Sequence, residues 1–447
     1  MHREPPDRLA SRRAFVSAGL ATGIAASCAA AQRNTAPAKE VGNAPDRDRD
    51  RIDELLSGLT DQRGSMKPIS NEERAERRKR LGAILAGRGI DAILCEGGAT
   101  MTYLAGVSWG KSERFFGLVV LADGSHFWIS PAFEASRAAL QIEGTTEKPG
   151  PGGEIVAWQE DEYPYAPLRD ALAKRSASRV AIEPSLRFVF AERLAQTIGR
   201  ERVDGAAGPA IVLALRGRKD EHEIALLRRA NELTQQAILA ASRCLEPGMT
   251  GSKIASIVDR AHKKLGFGGT WNLSLIGPAA ALPHGEPDER KLERGSVLLV
   301  DAGGDFLGYQ SDETRTWIFD GSPTVEVERA WNAVRDAQRA AFDAARPGVL
   351  CGDVDRAARA TFVERGFAPG YAQFTHRLGH GIGLEGHEDP YFDSGSTIAL
   401  TSGMTLTDEP GLYFPGKFGI RLEDVLAVTD AGAEHFGSWQ RAPGSPE

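Results

Sequence analysis

The sequence of 447 residues holds only four cysteines, Cys28, Cys95, Cys244 and Cys351, and no two of them form a CxxC pair. That spacing supports neither a thiolate zinc site nor a disulfide framework. Basic residues do not predominate either: 54 Lys and Arg stand against 61 Asp and Glu, a formal charge of −7. Such a balance leaves no electrostatic footprint for nucleic acid, and no nucleic-acid partner is expected. Beyond residue 31 no uncharged apolar run reaches the ~18 residues of a membrane-spanning helix, which excludes a polytopic membrane protein. The remainder, 41% hydrophobic and 26% charged, is an ordinary globular composition. The length exceeds the ~100–200 residues typical of one domain, so two domains with additions are expected.

Residues 1–31 stand apart. Ser11-Arg12-Arg13-Ala14-Phe15-Val16 leads into an uncharged, small-residue run from Ala14 to Ala31, which resembles a twin-arginine export signal. Two processing readings stay open: peptidase cleavage after Ala29-Ala30-Ala31, or acylation of Cys28 as a lipoprotein. The expected location is therefore periplasmic or envelope-associated. Residues 32–68, rich in Ala, Pro, Asp and Arg, read as a mostly disordered tether.

From residue 69 to 213 short apolar runs alternate with helix-like segments. Asn71-Glu72-Glu73-Arg74 opens a helix. Strands are expected at 92–95, 116–121, 127–130, 155–158 and 180–182, and further helices at 133–141 and 167–174. This α/β unit has one histidine, His126, and no ligand set, so it reads as a supporting domain. A second domain spans 217–436, opening on a long helix from Glu221 to Cys244. Within it Pro247-Gly248 and Gly266-Phe267 recur as Pro347-Gly348 and Gly366-Phe367, at one constant offset. Two copies of so long a period suggest two similar halves facing a site, not a solenoid.

The chemistry gathers in the strands of those halves. Asp301 ends an apolar strand, and Asp312 returns on the next; a hairpin folding midway would set them directly opposite each other. Carboxylates that close repel unless a cation binds them. His376, His380 and His387 fall in Thr375-His376-Arg377-Leu378-Gly379-His380-Gly381-Ile382-Gly383-Leu384-Glu385-Gly386-His387. Its glycines argue against a helical zinc motif and open the backbone to a substrate or metal. Glu409 precedes a turn in Asp408-Glu409-Pro410-Gly411-Leu412-Tyr413. In Arg421-Leu422-Glu423 the two charged side chains share one strand face.

Asp301, Asp312, His380, Glu409 and Glu423, in this order with their flanks, resemble the dinuclear site of the Xaa-Pro aminopeptidase and prolidase branch of the pita-bread (M24-type) metallopeptidases. The resemblance covers about residues 70–436. It implies an α+β fold with an N-terminal creatinase-like α/β domain and a C-terminal pita-bread domain of pseudo-two-fold repeat. It implies that these five residues hold two divalent metal ions. Oxygen-rich ligation favours manganese, with cobalt or zinc as substitutes. A metal-bridged hydroxide would attack the scissile carbonyl, with Glu409 handling the proton. His284 would contact substrate near the leaving side, His376 and His387 would stabilise the oxyanion or hold the substrate, and Arg421 would anchor substrate or the outer shell of the site. The implied partners are peptides with proline at the second position, and a homodimer or tetramer is implied.

The leading expectation is an Xaa-Pro aminopeptidase; the alternative is an Xaa-Pro dipeptidase (prolidase). Methionine aminopeptidases lack the front domain. A creatinase-like hydrolase would lack the metal ligands, and a noncatalytic pita-bread interaction module would have lost ligands or histidines, whereas none is missing here.

Overall fold

The computed structural model describes residues 47–144, 149–285 and 289–447. The expected twin-arginine signal with both of its processing readings, Cys28 and the first part of the expected tether lie outside those residues. No helix among the described residues is long and apolar enough to cross a membrane.

The first described segment corrects an expectation. Arg47–Leu55 form a helix, α1, and Ile52 and Leu56 are fully buried. They sit four residues apart, on one helical face. Both enter the core that lies under two later helices, with Leu233, Ile238 and Ile257 among its members. Gln62 continues the attachment through its N–H to the carbonyl of Leu265. The charged text around Ile52 and Leu56 masked a short amphipathic helix, so the described part of 32–68 is structure and not tether.

Helix α2 (Asn71–Ala86) starts on a capping box. The Ser70 hydroxyl accepts from the Glu73 N–H, and the Glu73 carboxylate accepts from the Ser70 N–H, so two otherwise orphan donors are satisfied reciprocally. The front sheet follows: β1 (Ala92–Glu96), β2 (Gly117–Leu121), β3 (His126–Pro131), β4 (Glu154–Trp158), β5 (Val180–Ile182) and β6 (Val203–Asp204), in the order β4-β3-β2-β1-β5-β6. Strands β1 and β2 are buried along their whole length, which is why they read as continuous apolar runs without alternation. Helices α2, α3 (Ala99–Ala105), α4 (Ala135–Ile142) and α7 (Ala207–Arg216) contribute to the core on one face. Helices α5 (Tyr165–Lys174) and α6 (Phe188–Ile198) contribute to the core on the other.

The second half begins with α8 (Glu221–Ser242) and α9 (Gly251–Leu265), then β7 (Gly269–Ile276), β8 (Val297–Phe306) and β9 (Tyr309–Ile318) as a three-stranded sheet. Helices α10 (Val325–Ala344) and α11 (Cys351–Glu364) follow. The remaining strands are β10 (Gly379–Gly381), β11 (Glu388–Phe392), β12 (Thr405–Asp408), β13 (Gly411–Phe414), β14 (Phe418–Arg421), β15 (Asp424–Thr429) and β16 (Gly432–His435). Five of these make the sheet β11-β10-β12-β15-β16, and β13 and β14 form a separate hairpin.

The internal repeat is structural. Gly248 and Gly348 adopt φ of +90° and +85° in the turns between their paired helices, and Gly266 and Gly366 adopt +99° and +77° just after them. Only glycine takes that conformation without strain. Gly248 donates to Leu292 O as Gly348 donates to Leu400 O, and Phe267 donates to His262 O as Phe367 donates to Phe362 O.

Residues 48–447 form one compact unit. Arg216 and Lys219 both reach the Glu388 carboxylate, and Arg77 of α2 donates to the Tyr309 hydroxyl at 3.1 Å. The ordering also runs past residue 436: Gln440 is buried and donates to the carbonyl of Thr316.

Truncating Ile52 tests the role of α1. Ile52→Ala should cost about 2–5 kcal/mol, as for other large-to-small changes in a packed core, read as a lowered midpoint in urea unfolding. A tether residue would leave the midpoint in place.

Candidate metal centre

The β8–β9 hairpin turns through Leu307 and Gly308, with φ of +54° and +92°, the left-handed pair that a tight two-residue turn demands. Phe306 then pairs with Tyr309, and every later pair is set: Asp301 faces Thr314, and Asp312 faces Gly303. The directly opposed aspartates expected from the sequence are thus corrected to a diagonal pair. Strand side chains alternate, so both still project from the same face.

Glu423 joins them from the short link between β14 and β15. Its backbone N–H and carbonyl pair with Thr314, and the Thr314 hydroxyl donates to its carboxylate at 2.6 Å. Oxygens of Asp301, Asp312 and Glu423 consequently fall within 4.8 Å of one another. His380 comes from β10. Its Nδ1 lies 3.1 Å from the carbonyl of Gly381, an acceptor, so the proton sits on Nδ1. The Nε2 lone pair is left facing Asp312 at 3.6 Å and Glu409 at 3.4 Å. An imidazole anchored at one nitrogen with the other bare is the usual posture of a metal ligand. His380, Glu409 and Glu423 form a second ligand group, and Asp312, His380 and His387 a third.

Two glycines of this segment, Gly379 and Gly381, serve another purpose than the one expected. A side chain at Gly379 would run into the carbonyl of Thr407, and one at Gly381 into that of Glu388. They let β10 fit between its neighbours, whereas a side chain at Gly386 would meet nothing within 4 Å.

Every expected site residue lines one cavity of about 580 Å³: Asp301, Asp312, His380, Glu409, Glu423, His284, His376, His387 and Arg421, joined by Trp271, Asn272, Leu273, Pro283 and Arg377. Burial, and then the charges of Glu423, Asp301 and Glu409, holds the Asp312 carboxyl well above its ordinary range. Burial, then Glu409 and Asp301, does the same to Glu423. Burial pushes Glu409 up to about 7, with Asp301 adding to the rise and Arg421 opposing it. His380 is pushed down to about 3, by burial and then by His387, which stacks on it at 3.7 Å. One oxygen of Asp301 is buried with no hydrogen-bond donor. Mutually repelling buried carboxylates, an orphan acceptor and an imidazole with a bare nitrogen are a donor set that fits hard divalent cations.

A second layer holds the set. Arg421 is buried; it donates to Thr314, to the carbonyl of Pro283, to the Tyr413 hydroxyl and to Asp301. His376 places Nδ1 2.7 Å from the carbonyl of Arg377 and Nε2 2.7 Å from the Tyr413 hydroxyl. Both ring nitrogens are thus spent on the protein. His376 steadies Tyr413, and Tyr413 receives Arg421, which differs from the oxyanion or substrate contact expected of His376. His284 is exposed on the cavity rim.

Sequence reasoning missed the far side of the same strands. Glu313, Asp408 and Asp424 each neighbour a ligand in the chain and project to the opposite face, all three buried. Arg315 lies 3.1 Å from Glu313 and 2.7 Å from Asp424, and donates to the carbonyl of Glu423. Burial, and then Asp424, raises the Asp408 carboxyl well above its usual range. Adjacent acids at 312–313, 408–409 and 423–424 were the available signal. Tyr413, Thr314 and Thr407 were also missed; Thr407 donates to Glu409 at 3.2 Å.

Residues 225–430 match the model of metallopeptidase family M24, and residues 77–217 match that of the creatinase/prolidase N-terminal domain. A probable dipeptidase, PepE, of Mycobacterium tuberculosis is 34% identical over 357 residues, 78% of this chain and 91% of that protein. The chain belongs to metallopeptidase family M24. The crystal structure of dipeptidase PepE from Mycobacterium ulcerans aligns with a TM-score of 0.76 at 30% identity, covering 85% of this chain and 99% of that one. X-Pro aminopeptidase from Thermotoga maritima aligns with a TM-score of 0.70 at 27% identity, covering 82% and 99%. As an M24 member with a creatinase-type front domain, the chain has the α+β pita-bread architecture expected. It is a metallopeptidase acting on peptides, and M24 membership implies a dinuclear metal centre at the carboxylate set.

Asp312→Asn and Glu423→Gln should each lower the metal content per chain, measured by elemental analysis after dialysis. Each should also cut the thermal stabilisation that added Mn²⁺ confers. In the wild type that stabilisation approaches about 2.7 kcal/mol at a hundredfold excess over the dissociation constant.

Proposed function

We propose that this M24 enzyme is an Xaa-Pro dipeptidase that hydrolyses the bond before a C-terminal proline. The aminopeptidase reading that led the sequence analysis gives way to its dipeptidase alternative. The observation that carries this is the similarity to dipeptidase PepE, 34% identical along 78% of the chain. The likeness to X-Pro aminopeptidase supports the second reading at a lower TM-score, 0.70 against 0.76.

Asp301, Asp312, His380, Glu409 and Glu423 would hold two divalent cations, manganese first by ligand chemistry. Bound there, such ions supply an acidified water and a polarised carbonyl. The chain's own groups do the rest. Glu409, whose proton affinity is raised to about 7 by burial first of all, accepts a proton at its carboxylate and returns it to the leaving nitrogen. His387 has its Nδ1 3.3 Å from the Arg377 guanidinium, a donor, so its N–H resides on Nε2, free for the carbonyl oxygen as charge develops. His284 on the rim meets the leaving side. Arg421 and Tyr413 hold Asp301 in place. Trp271, Leu273 and Pro283 give the cavity an apolar wall suited to a proline ring, whose amide nitrogen carries no hydrogen to recognise.

Chelator-stripped enzyme given back Mn²⁺ should cleave Ala-Pro with a kcat/KM at least about tenfold above that for Ala-Pro-Ala, a difference of about 1.4 kcal/mol. The opposite ranking would establish the aminopeptidase reading instead. Glu409→Gln should reduce kcat by about 10²–10⁴, the usual loss for a positioned acid–base group. We also propose export by the twin-arginine route, on the strength of Arg12-Arg13 and the uncharged run behind them. Replacing both arginines by lysine should leave unprocessed protein in the cytoplasmic fraction.

A further inference from the structure

Hydrolysing a dipeptide poses a recognition problem that longer peptides do not. The substrate ends in a carboxylate on the residue whose nitrogen is the leaving group, a fixed negative charge that must leave water to enter the cavity. Without a cation facing it, that charge opposes binding.

Among the described residues, two arginines line the cavity, Arg421 and Arg377. Arg421 is consumed by Asp301, Tyr413, Thr314 and Pro283, and is 3% exposed. Arg377 is half-buried, and the one hydrogen bond its guanidinium makes among the described residues is the 3.3 Å contact to His387. Its guanidinium lies over the ring of Tyr391, 4.0 Å from the centroid, so the plane is braced while its edge keeps donors free. Its charge is felt at Glu409, His380 and His387, which places it beside the reacting groups and not at a remote rim. A planar fork with unused N–H groups is the side chain best shaped to take a carboxylate in two parallel hydrogen bonds.

We infer that Arg377 binds the C-terminal carboxylate of the substrate and is the residue that makes the site selective for dipeptides. The inference rests on the Xaa-Pro dipeptidase reading above. A longer peptide presents a neutral amide at the same place and forfeits the charge-assisted pair. Such a pair contributes about 1.5–3 kcal/mol, which converts to roughly a ten- to hundredfold preference.

The test uses Mn²⁺-loaded full enzyme with Ala-Pro and its C-terminal amide, Ala-Pro-NH₂, in which a neutral amide replaces the carboxylate. The wild type should favour Ala-Pro by about tenfold or more in kcat/KM, mainly through KM. In Arg377→Met that ratio should fall toward one, and Arg377→Lys, which keeps the charge but not the fork, should lie between. A wild-type ratio already near one overturns the inference and leaves the peptidase reading standing. So does an Arg377→Met enzyme in which both substrates slow together at an unchanged ratio, the signature of a residue that only positions His387. Hydrolysis of neither substrate by the loaded wild type overturns the dipeptidase reading and this inference with it.

Discussion

The structure is organised around negative charge that has been taken out of water. Asp312 and Glu423 are almost fully buried, with Asp301 and Glu409 beside them, and the charges of Asp301 and Glu409 raise the proton affinity of both. Isolated ions in such a place would cost many kcal/mol, so they must be protonated, paired or bound to cations. Arg421 pairs Asp301 and Arg315 braces the strands from behind. The remaining carboxylates face the cavity, where divalent cations can answer them. Catalysis in this account is the use of a charge imbalance that the fold is built to sustain.

The scaffold serves that constraint directly. Long neighbouring strands bring ligands from distant parts of the chain onto one face, while the opposite face carries its own acids, paired with Arg315 or, at Asp408, of raised proton affinity. The two halves of the internal repeat lay paired helices against these sheets. The front domain joins through Arg216, Lys219 and Arg77. Arg216 and Lys219 converge on Glu388, next in the chain to His387, so the domain junction also fixes one wall of the site. Helix α1, added before the front domain in sequence, packs instead under the catalytic half.

Much of this was legible beforehand, for identifiable reasons. The order of carboxylates and histidines with their flanks led to the ligand set, and glycines at a constant offset led to the repeat. Buried strands of the front domain read as apolar runs because both faces are covered. What stayed hidden depended on register or tertiary context. Placing Asp301 opposite Asp312 failed because the turn falls at Leu307-Gly308, one residue later than the Phe306-Leu307 turn that reading needed. Helix α1 was lost because two apolar residues amid Arg and Asp carry little periodic signal. Tyr413 and Arg377 stood in the quoted motifs, but only three-dimensional contacts show that one locks His376 and Arg421 while the other keeps free donors.

The central claim, that the buried carboxylates exist to hold cations, is tested most directly by calorimetric titration of chelator-stripped enzyme with Mn²⁺ at pH 7 in buffers of different ionisation enthalpy. Burial and the neighbouring carboxylates raise the proton affinity of Asp312 and Glu423 without metal. Binding of about two ions per chain should therefore displace protons, seen as heat that scales with buffer ionisation. Absence of binding, or binding with no proton release, would contradict the account.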